Sequence, residues 1–344
     1  MRQLQVLLCL FLFPNLAICQ NKQPDIPVYC KEFFTNEEPL EITLVSDFKK
    51  LKSQKKKDVY QPAYASIKFS SIDSLADSVR IAARGEFRRT LCQMPSLMVN
   101  FKGNTSSPFA KLKKLKMVCG CNSSDYNERL VLTEYLVYKI YNLLTDMSFR
   151  VRLAKTIYQD QNNKGKPVSQ YAFFIEDVDE LAKRNGCKEY KNIANSLYSN
   201  RKQMTLMNIF QYMIGNTDWS VPNYHNIKLI YTVADSTAYP YIIHYDFDFS
   251  GLVNASYAFP NHELFTIEKV TDRFYRGMPR TLEEVEAVLE TFKNTKEKIM
   301  QLISGFELLP SGDRQTMVSY LEEFYETINN KKKVEYHFVK GMKQ

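Results

Sequence analysis

Between residues 214 and 250 the chain gathers side chains that could do chemistry: Asp218, His225 and Asn226, then two apolar stretches, then Asp246 and Asp248. The stretches 227–233 and 239–245 are rich in β-branched and aromatic residues and flank a turn-forming link at 234–238, which predicts a hairpin. Pairing about a centre at residue 236 sets Asn226 opposite Asp246, with about 4.5–5.5 Å between Cα atoms. Asp248 lies two residues on and shares that face if the strand continues. Asp218 sits in the loop before the first strand and can fold back over the hairpin mouth. Asn223 competes with Asn226 for this place, but Asn226 directly precedes the strand. An amide oxygen and carboxylates converging at one mouth make a hard-oxygen site suited to Mg²⁺. That set serves phosphoryl transfer, where an Asp accepts the proton of the attacking hydroxyl while an Asn and a second Asp hold the ion against the phosphates. An Asp- and Asn-rich loop that only caps its own turns has the same composition. The symmetric pairing of two apolar strands around the acidic mouth favours the metal or phosphate site.

The elements that must hold this segment are legible from periodicity. Short alternating or β-branched stretches at 41–45, 65–69, 78–83, 97–101 and 115–119 predict strands separated by polar turns. A helix capped by Asp125 begins near Glu128 and carries Leu132, Leu136, Ile140 and Leu143 at helical spacing. Strands are expected at 149–158 and 170–175, around the turn 162–165. After Glu176 the pattern becomes helical, at 179–184, 191–198 and 206–214. The hairpin interrupts it, and helices at 282–304 and 316–330 close the chain. The expected order is a β-rich first half carrying one helix, a crossover near 175–178, and a mostly helical second half.

Composition narrows the function classes. The chain is 44% hydrophobic and 24% charged, with 22 Tyr, 22 Phe and only 11 Gly; a packed core is expected, a Gly-rich phosphate loop is not. Met1 and Arg2 precede an apolar run ending near Leu16, and Ala17-Ile18-Cys19 fits a signal-peptidase site. Residues 1–19 therefore read as a signal peptide and 20–38 as a lead-in, so the protein is expected to be secreted, periplasmic or at the cell surface. Ile18 disfavours the alternative of a lipidated Cys19. Nothing later approaches a membrane span, and the net charge of +8 comes from Lys-rich runs at 49–57 and 111–116, read as a solvated loop and a strand edge. Nucleic acid is a poor partner for an exported protein. Five cysteines remain after the leader; Cys119 and Cys121 could share a strand face, but no second Cys/His pair stands at zinc spacing, so buried thiols or one disulfide are expected. His225, His244, His262 and His337 form no hydrolase pattern.

In its order of motifs the segment Asp218…His225-Asn226, strand, Asp246-Phe247-Asp248 resembles the spore-coat CotH kinase family. Arg84-Gly85 at a strand end, Pro95 before the strand 97–101, the helix after 115–118, and the turn into Phe173-Phe174-Ile175-Glu176 fit the same order, over roughly residues 40–300. The resemblance implies an α+β, two-lobed protein-kinase-like fold, with a β-rich N-lobe at 39–175 and a helical C-lobe at 176–344. It implies ATP and Mg²⁺ (or Mn²⁺) as cofactors and protein Ser/Thr as substrate, at the cell surface or outside the cell. By the same resemblance Asp218 is the catalytic residue, and Asn226, Asp246 and Asp248 are the metal set. Arg84 then lies near the phosphates, Lys116 or Lys102 contacts ATP and pairs with Glu134, and Glu176 lies at the nucleotide hinge. Where the family carries Lys-Lys-Pro, this chain has Gln93-Met94-Pro95, which leaves the ATP-contacting lysine open. Two other readings stand beside this one. A pseudokinase or surface binding module would keep the fold without catalysis. A haloacid-dehalogenase-type phosphotransferase would use the strand 241–245 and its Asp-x-Asp as the start of a parallel α/β sheet.

Overall fold

The computed structural model describes residues 32–70, 73–103, 108–162, 165–192, 195–235, 237–260 and 266–340. The expected signal peptide, most of the lead-in, Cys30 and His262 lie outside the described residues.

Alternation builds the first half. β1 (Leu40–Ser46) buries every second side chain, as a strand with one face on a core must. α1 (Phe48–Ser53) follows, capped by the Asp47 carboxylate and seated by Phe48 and Leu51. The lysine run there is thus partly a short amphipathic helix and not simply a solvated loop. β2 (Gln61–Lys68) and β3 (Ser74–Arg84) pair antiparallel. The chain then makes a six-residue helix, α2 (Glu86–Leu91), before β4 (Ser96–Asn100) and β5 (Lys114–Val118). α3 (Asp125–Leu144) is capped by Ser124, with Asp125 inside its first turn. β6 (Val151–Asp160) and β7 (Val168–Ile175) complete the sheet.

The strands close in the order β1-β2-β3-β4-β5-β7-β6. β1 and β6 seal the barrel in parallel, from Leu40 beside Ala154 to Ser46 beside Asp160. Closure removes the sheet's edges. It also places β5 between β4 and β7, so the second lysine run is not a strand edge. Side chains such as Ile42, Ile67, Ile81, Leu97, Met117 and Phe174 fill the interior. The sheet is therefore a closed seven-stranded barrel within a mixed α+β fold.

The second half holds α4 (Val178–Arg184), β8 (Cys187–Glu189), α5 (Arg201–Ile214), β9 (Ile227–Thr232), β10 (Tyr241–His244), α6 (Leu282–Ser304), α7 (Ser311–Ile328) and α8 (Lys331–Val334). The helix expected over 191–198 is absent among the described residues, which show only a turn at Ser196–Tyr198. β8, β9 and β10 make a small antiparallel sheet. That topology excludes the dehalogenase reading, which needs 241–245 in a parallel, doubly wound sheet. Among the described residues no helix is long and apolar enough to cross a membrane.

α3 joins the two halves. Between Leu130 and Tyr141 nearly all its side chains are buried, as expected for a helix packed on both sides. One continuous core runs from Val118 and Phe173 through α3 to α5, α6 and α7.

Candidate functional site

α5 ends at Gly215, which takes a left-handed conformation (φ 65°) and caps the helix by donating to the Tyr212 carbonyl. A Cβ there would collide with the Tyr320 hydroxyl, so both the backbone angle and the space require glycine. The loop 216–226 then folds on itself. Ser220 and His225 exchange backbone hydrogen bonds at 3.0 and 2.9 Å. The turn brings His225 Nε2 to 2.8 Å from Asp218 Oδ1. Asn226 Nδ2 donates to the Asp218 carbonyl at 2.8 Å and to Asp218 Oδ2 at 2.9 Å. Asn216 accepts from the Asp218 N–H at 2.9 Å. Trp219, the only tryptophan, is buried with its ring edge-on to His244 at 4.8 Å. Arg276 stacks 4.3 Å from the Trp219 ring centroid and donates to the carbonyls of Thr217 and Trp219. Burial pulls the Arg276 guanidinium down to about 10, and the charge of Asp218 opposes that shift.

The hairpin register differs from the expected one. Ile227 pairs with His244, and the Tyr245 N–H donates to the Asn226 carbonyl at 3.1 Å. Asn226 thus stands opposite Tyr245, and Asp246 is one step beyond. The cause lies in the link, where the Thr237 N–H and hydroxyl both bond Asp235 Oδ1, at 2.9 and 2.6 Å. This turn centres the pairing between 235 and 236. Asn226 (φ 53°) and Asp246 (φ 68°) are left-handed, a conformation that Asn and Asp tolerate best among non-glycine residues and that recurs at functional sites.

The turn at Asp246 ends the strand, so Asp248 does not share its face. Asp246 is held through its N–H, which donates to the Tyr138 hydroxyl at 2.8 Å. Asp248 enters a separate buried cluster. Arg88 on α2 donates to Asp248 Oδ2 through Nε (3.3 Å) and Nη2 (3.0 Å), and to Glu134 Oε2 through Nη2 (3.3 Å). The Tyr257 hydroxyl donates to Asp248 Oδ2 at 3.0 Å. Burial, with the charge of Asp248, pushes Glu134 well above the usual carboxylate range; burial also raises Asp248, with Arg88 opposing. Glu134 and Tyr138 are four residues apart and share one face of α3, so one helix positions the whole segment 246–248.

Lys116 faces the hairpin from the barrel, its Nζ 4.4 Å from the Tyr245 ring centroid. Burial lowers it to about 8, aided by the charges of Arg84 and Lys228 and opposed by Asp246. Arg84 and Asp246 both act on Lys116, Tyr138 and Tyr245, so they share one locality. Lys102 is exposed in a turn elsewhere. The expected lysine–Glu134 pair is not formed; Arg88 takes that carboxylate. Asp248 is likewise held by Arg88 and Tyr257, in a cluster that does not include Asn226. Glu176 is buried, and its carboxylate binds Arg184 (3.0 Å) and the Arg150 N–H (3.1 Å). Its carboxylate therefore braces the crossover. Among the described residues no three His, Cys, Asp or Glu side chains gather as a metal site. Arg88, Tyr138, Tyr257 and Arg276 were not singled out from the sequence, and His225 was named there without a role. Arg84 and Arg88 stand four residues apart around Gly85, and that spacing is the one sequence signal that could have led to Arg88.

Cys92 and Cys121 form a disulfide, and Cys119 is a buried thiol, so the Cys119–Cys121 pair is not a shared-face metal pair. At the far end of the β9–β10 hairpin a cavity of about 790 Å³ is lined by Tyr190, Tyr198, Tyr231 and Tyr239, together with Glu189 and Lys191.

No family model matches the chain, and no curated protein matches it. The chain is similar to the crystal structure of the Golgi casein kinase, at 10% identity over 70% of this chain and 71% of that one, with a TM-score of 0.36. A likeness this slight carries no argument about activity or substrate.

Proposed function

We propose that this protein is an exported kinase of the CotH kind that transfers the γ-phosphate of ATP to a protein Ser or Thr hydroxyl. One observation carries the reading: Asp218, His225 and Asn226 form a hydrogen-bonded unit at a hairpin mouth, directly beside Asp246, with Lys116 and Arg84 bearing on the same space. Asp218 is the base that orients the substrate hydroxyl and accepts its proton. His225 and Asn226 hold its two carboxylate oxygens in place. The amide nitrogen of Asn226 is engaged by Asp218, which leaves its carbonyl oxygen, with the Asp246 carboxylate, as the donors toward a cation. One carboxylate and one amide oxygen suit Mg²⁺, which keeps water and substrate phosphates as its other ligands. Such an ion, bound with ATP, would offset the charge of the phosphates. Lys116 and Arg84 would contact those phosphates from the barrel side.

The test is incubation of the purified protein with labelled ATP and Mg²⁺ or Mn²⁺, followed for self-phosphorylation. Asp218→Ala should retain nucleotide affinity within about threefold while losing transfer by at least about a hundredfold. Asp246→Ala should lose metal-dependent nucleotide binding as well. Transfer at the wild-type rate in Asp218→Ala would end this reading. A second reading, a non-catalytic surface binding module, is favoured by the tyrosine-lined cavity beyond the hairpin. It predicts no transfer in the wild type under any divalent ion.

A further inference from the structure

In the Arg88 cluster one guanidinium stands between two buried carboxylates. Glu134 comes from α3 and Asp248 from the segment after β10, and the two carboxylates converge on one group. Their side chains retain 1% and 9% of their exposure, and that of Arg88 retains 12%. Nη2 lies 3.3 Å from Glu134 Oε2 and 3.0 Å from Asp248 Oδ2, while Nη1 donates to the Cys119 carbonyl at 2.9 Å. Glu134 Oε1 is buried without a well-formed hydrogen bond, although the Phe247 N–H lies close enough to favour its charged form. Two buried carboxylates in one place repel each other unless a cation lies between them. Arginine supplies that charge permanently and with a fixed planar geometry.

Arg88 reaches this position because α2 is held from three sides. A helix of six residues has no stability of its own. The Cys92–Cys121 disulfide ties its C-terminal end to the loop after β5. Lys55 Nζ donates to the Cys92 carbonyl at 2.5 Å. Phe87 packs on Phe249 and Tyr257, with ring centroids 5.3 and 5.8 Å apart. Phe87 and Arg88 therefore both meet the segment 248–257.

We propose that Arg88 is a built-in cation that occupies a latent divalent-ion site formed by Glu134 and Asp248, so that the protein takes up one divalent ion where its acidic residues could hold two. The proposal deepens the phosphotransfer reading and rests on it for the ion assigned to Asn226 and Asp246. Arg88 is a positioning residue: its guanidinium fixes both carboxylates and excludes an ion from between them.

Manganese binding to the full chain, followed by electron paramagnetic resonance with a non-hydrolysable ATP analogue, tests this without any turnover. The wild type should bind one Mn²⁺ per chain. Arg88→Ala and Arg88→Gln should each bind one ion more than the wild type, and Asp248→Asn added to either should remove that extra ion. Arg88→Lys, which keeps a positive charge, should retain the wild-type count. Two ions in the wild type, or no gain in an Arg88→Gln variant whose circular dichroism is native, would overturn the proposal. A wild type that binds no ion while Arg88→Gln gains one would sink the phosphotransfer reading and uphold the assignment of Arg88.

Discussion

Asn226 carries two loads that substitution can separate. Its side chain holds Asp218 through two hydrogen bonds, and its backbone sits at φ 53°. Alanine removes the hydrogen bonds and also pays for the left-handed backbone, whereas glycine removes only the hydrogen bonds. Asn226→Ala should be less stable than Asn226→Gly by about 1 kcal/mol in urea denaturation. Both variants should lose metal-dependent nucleotide binding to the same extent. Equal stability of the two would show that the left-handed backbone is not maintained in solution.

At the scale of elements, local signals and distant partners meet at the start of α6. Thr281 accepts from the Glu284 N–H at 3.2 Å, and Glu284 Oε2 accepts from the Thr281 N–H at 2.9 Å, a reciprocal capping box. Arg201 at the start of α5 also donates to the Glu284 carboxylate. The hydrogen bonds from Arg201, then from the Thr281 N–H, hold Glu284 down to about 2. Its folded value lies below its unfolded one, so the stabilisation is fully present above about pH 4.5 and is lost as pH falls through about 2. The side chain keeps 33% of its exposure, so solvent screening limits the effect. Glu284→Gln should cost about 1 kcal/mol at pH 7 and almost nothing at pH 2. Denaturation series at the two pH values check this, and an equal cost at both would refute it.

At the scale of the molecule, the continuous core makes a cooperative prediction. Side chains of α3 pack with β6 and β7 on one side and with α5, α6 and α7 on the other. A second core fills the barrel, where Phe174 of β7 belongs. Elements that share buried side chains lose them together. Trp219 reports on the candidate catalytic loop alone, and far-ultraviolet circular dichroism reports on all the helices and strands. The two probes should give coincident thermal midpoints. A tryptophan transition several degrees below the dichroism transition would show that the loop 216–226 melts independently of the frame.

Much of the frame is legible in the sequence because burial imposes a period. β1 and β2 alternate, α6 spans the expected 282–304, and α3 declares itself by apolar residues at helical spacing. The grouping of Asp218 with Asn226 is also legible, since a loop leading into a strand must turn back on itself. Closure of the barrel is not, because the parallel contact of β1 with β6 joins residues more than a hundred positions apart and leaves no local signature. The hairpin register depended on one Asp-centred turn, which moved Asn226 from Asp246 to Tyr245. The partner of Glu134 was the most distant matter. Sequence spacing offers it any basic residue, whereas the choice of Arg88 over Lys116 followed from a six-residue helix pinned by a disulfide and by aromatic packing. Periodicity and turn chemistry act between neighbours along the chain and can be read there; charge pairing in a buried cluster depends on which elements tertiary packing brings together.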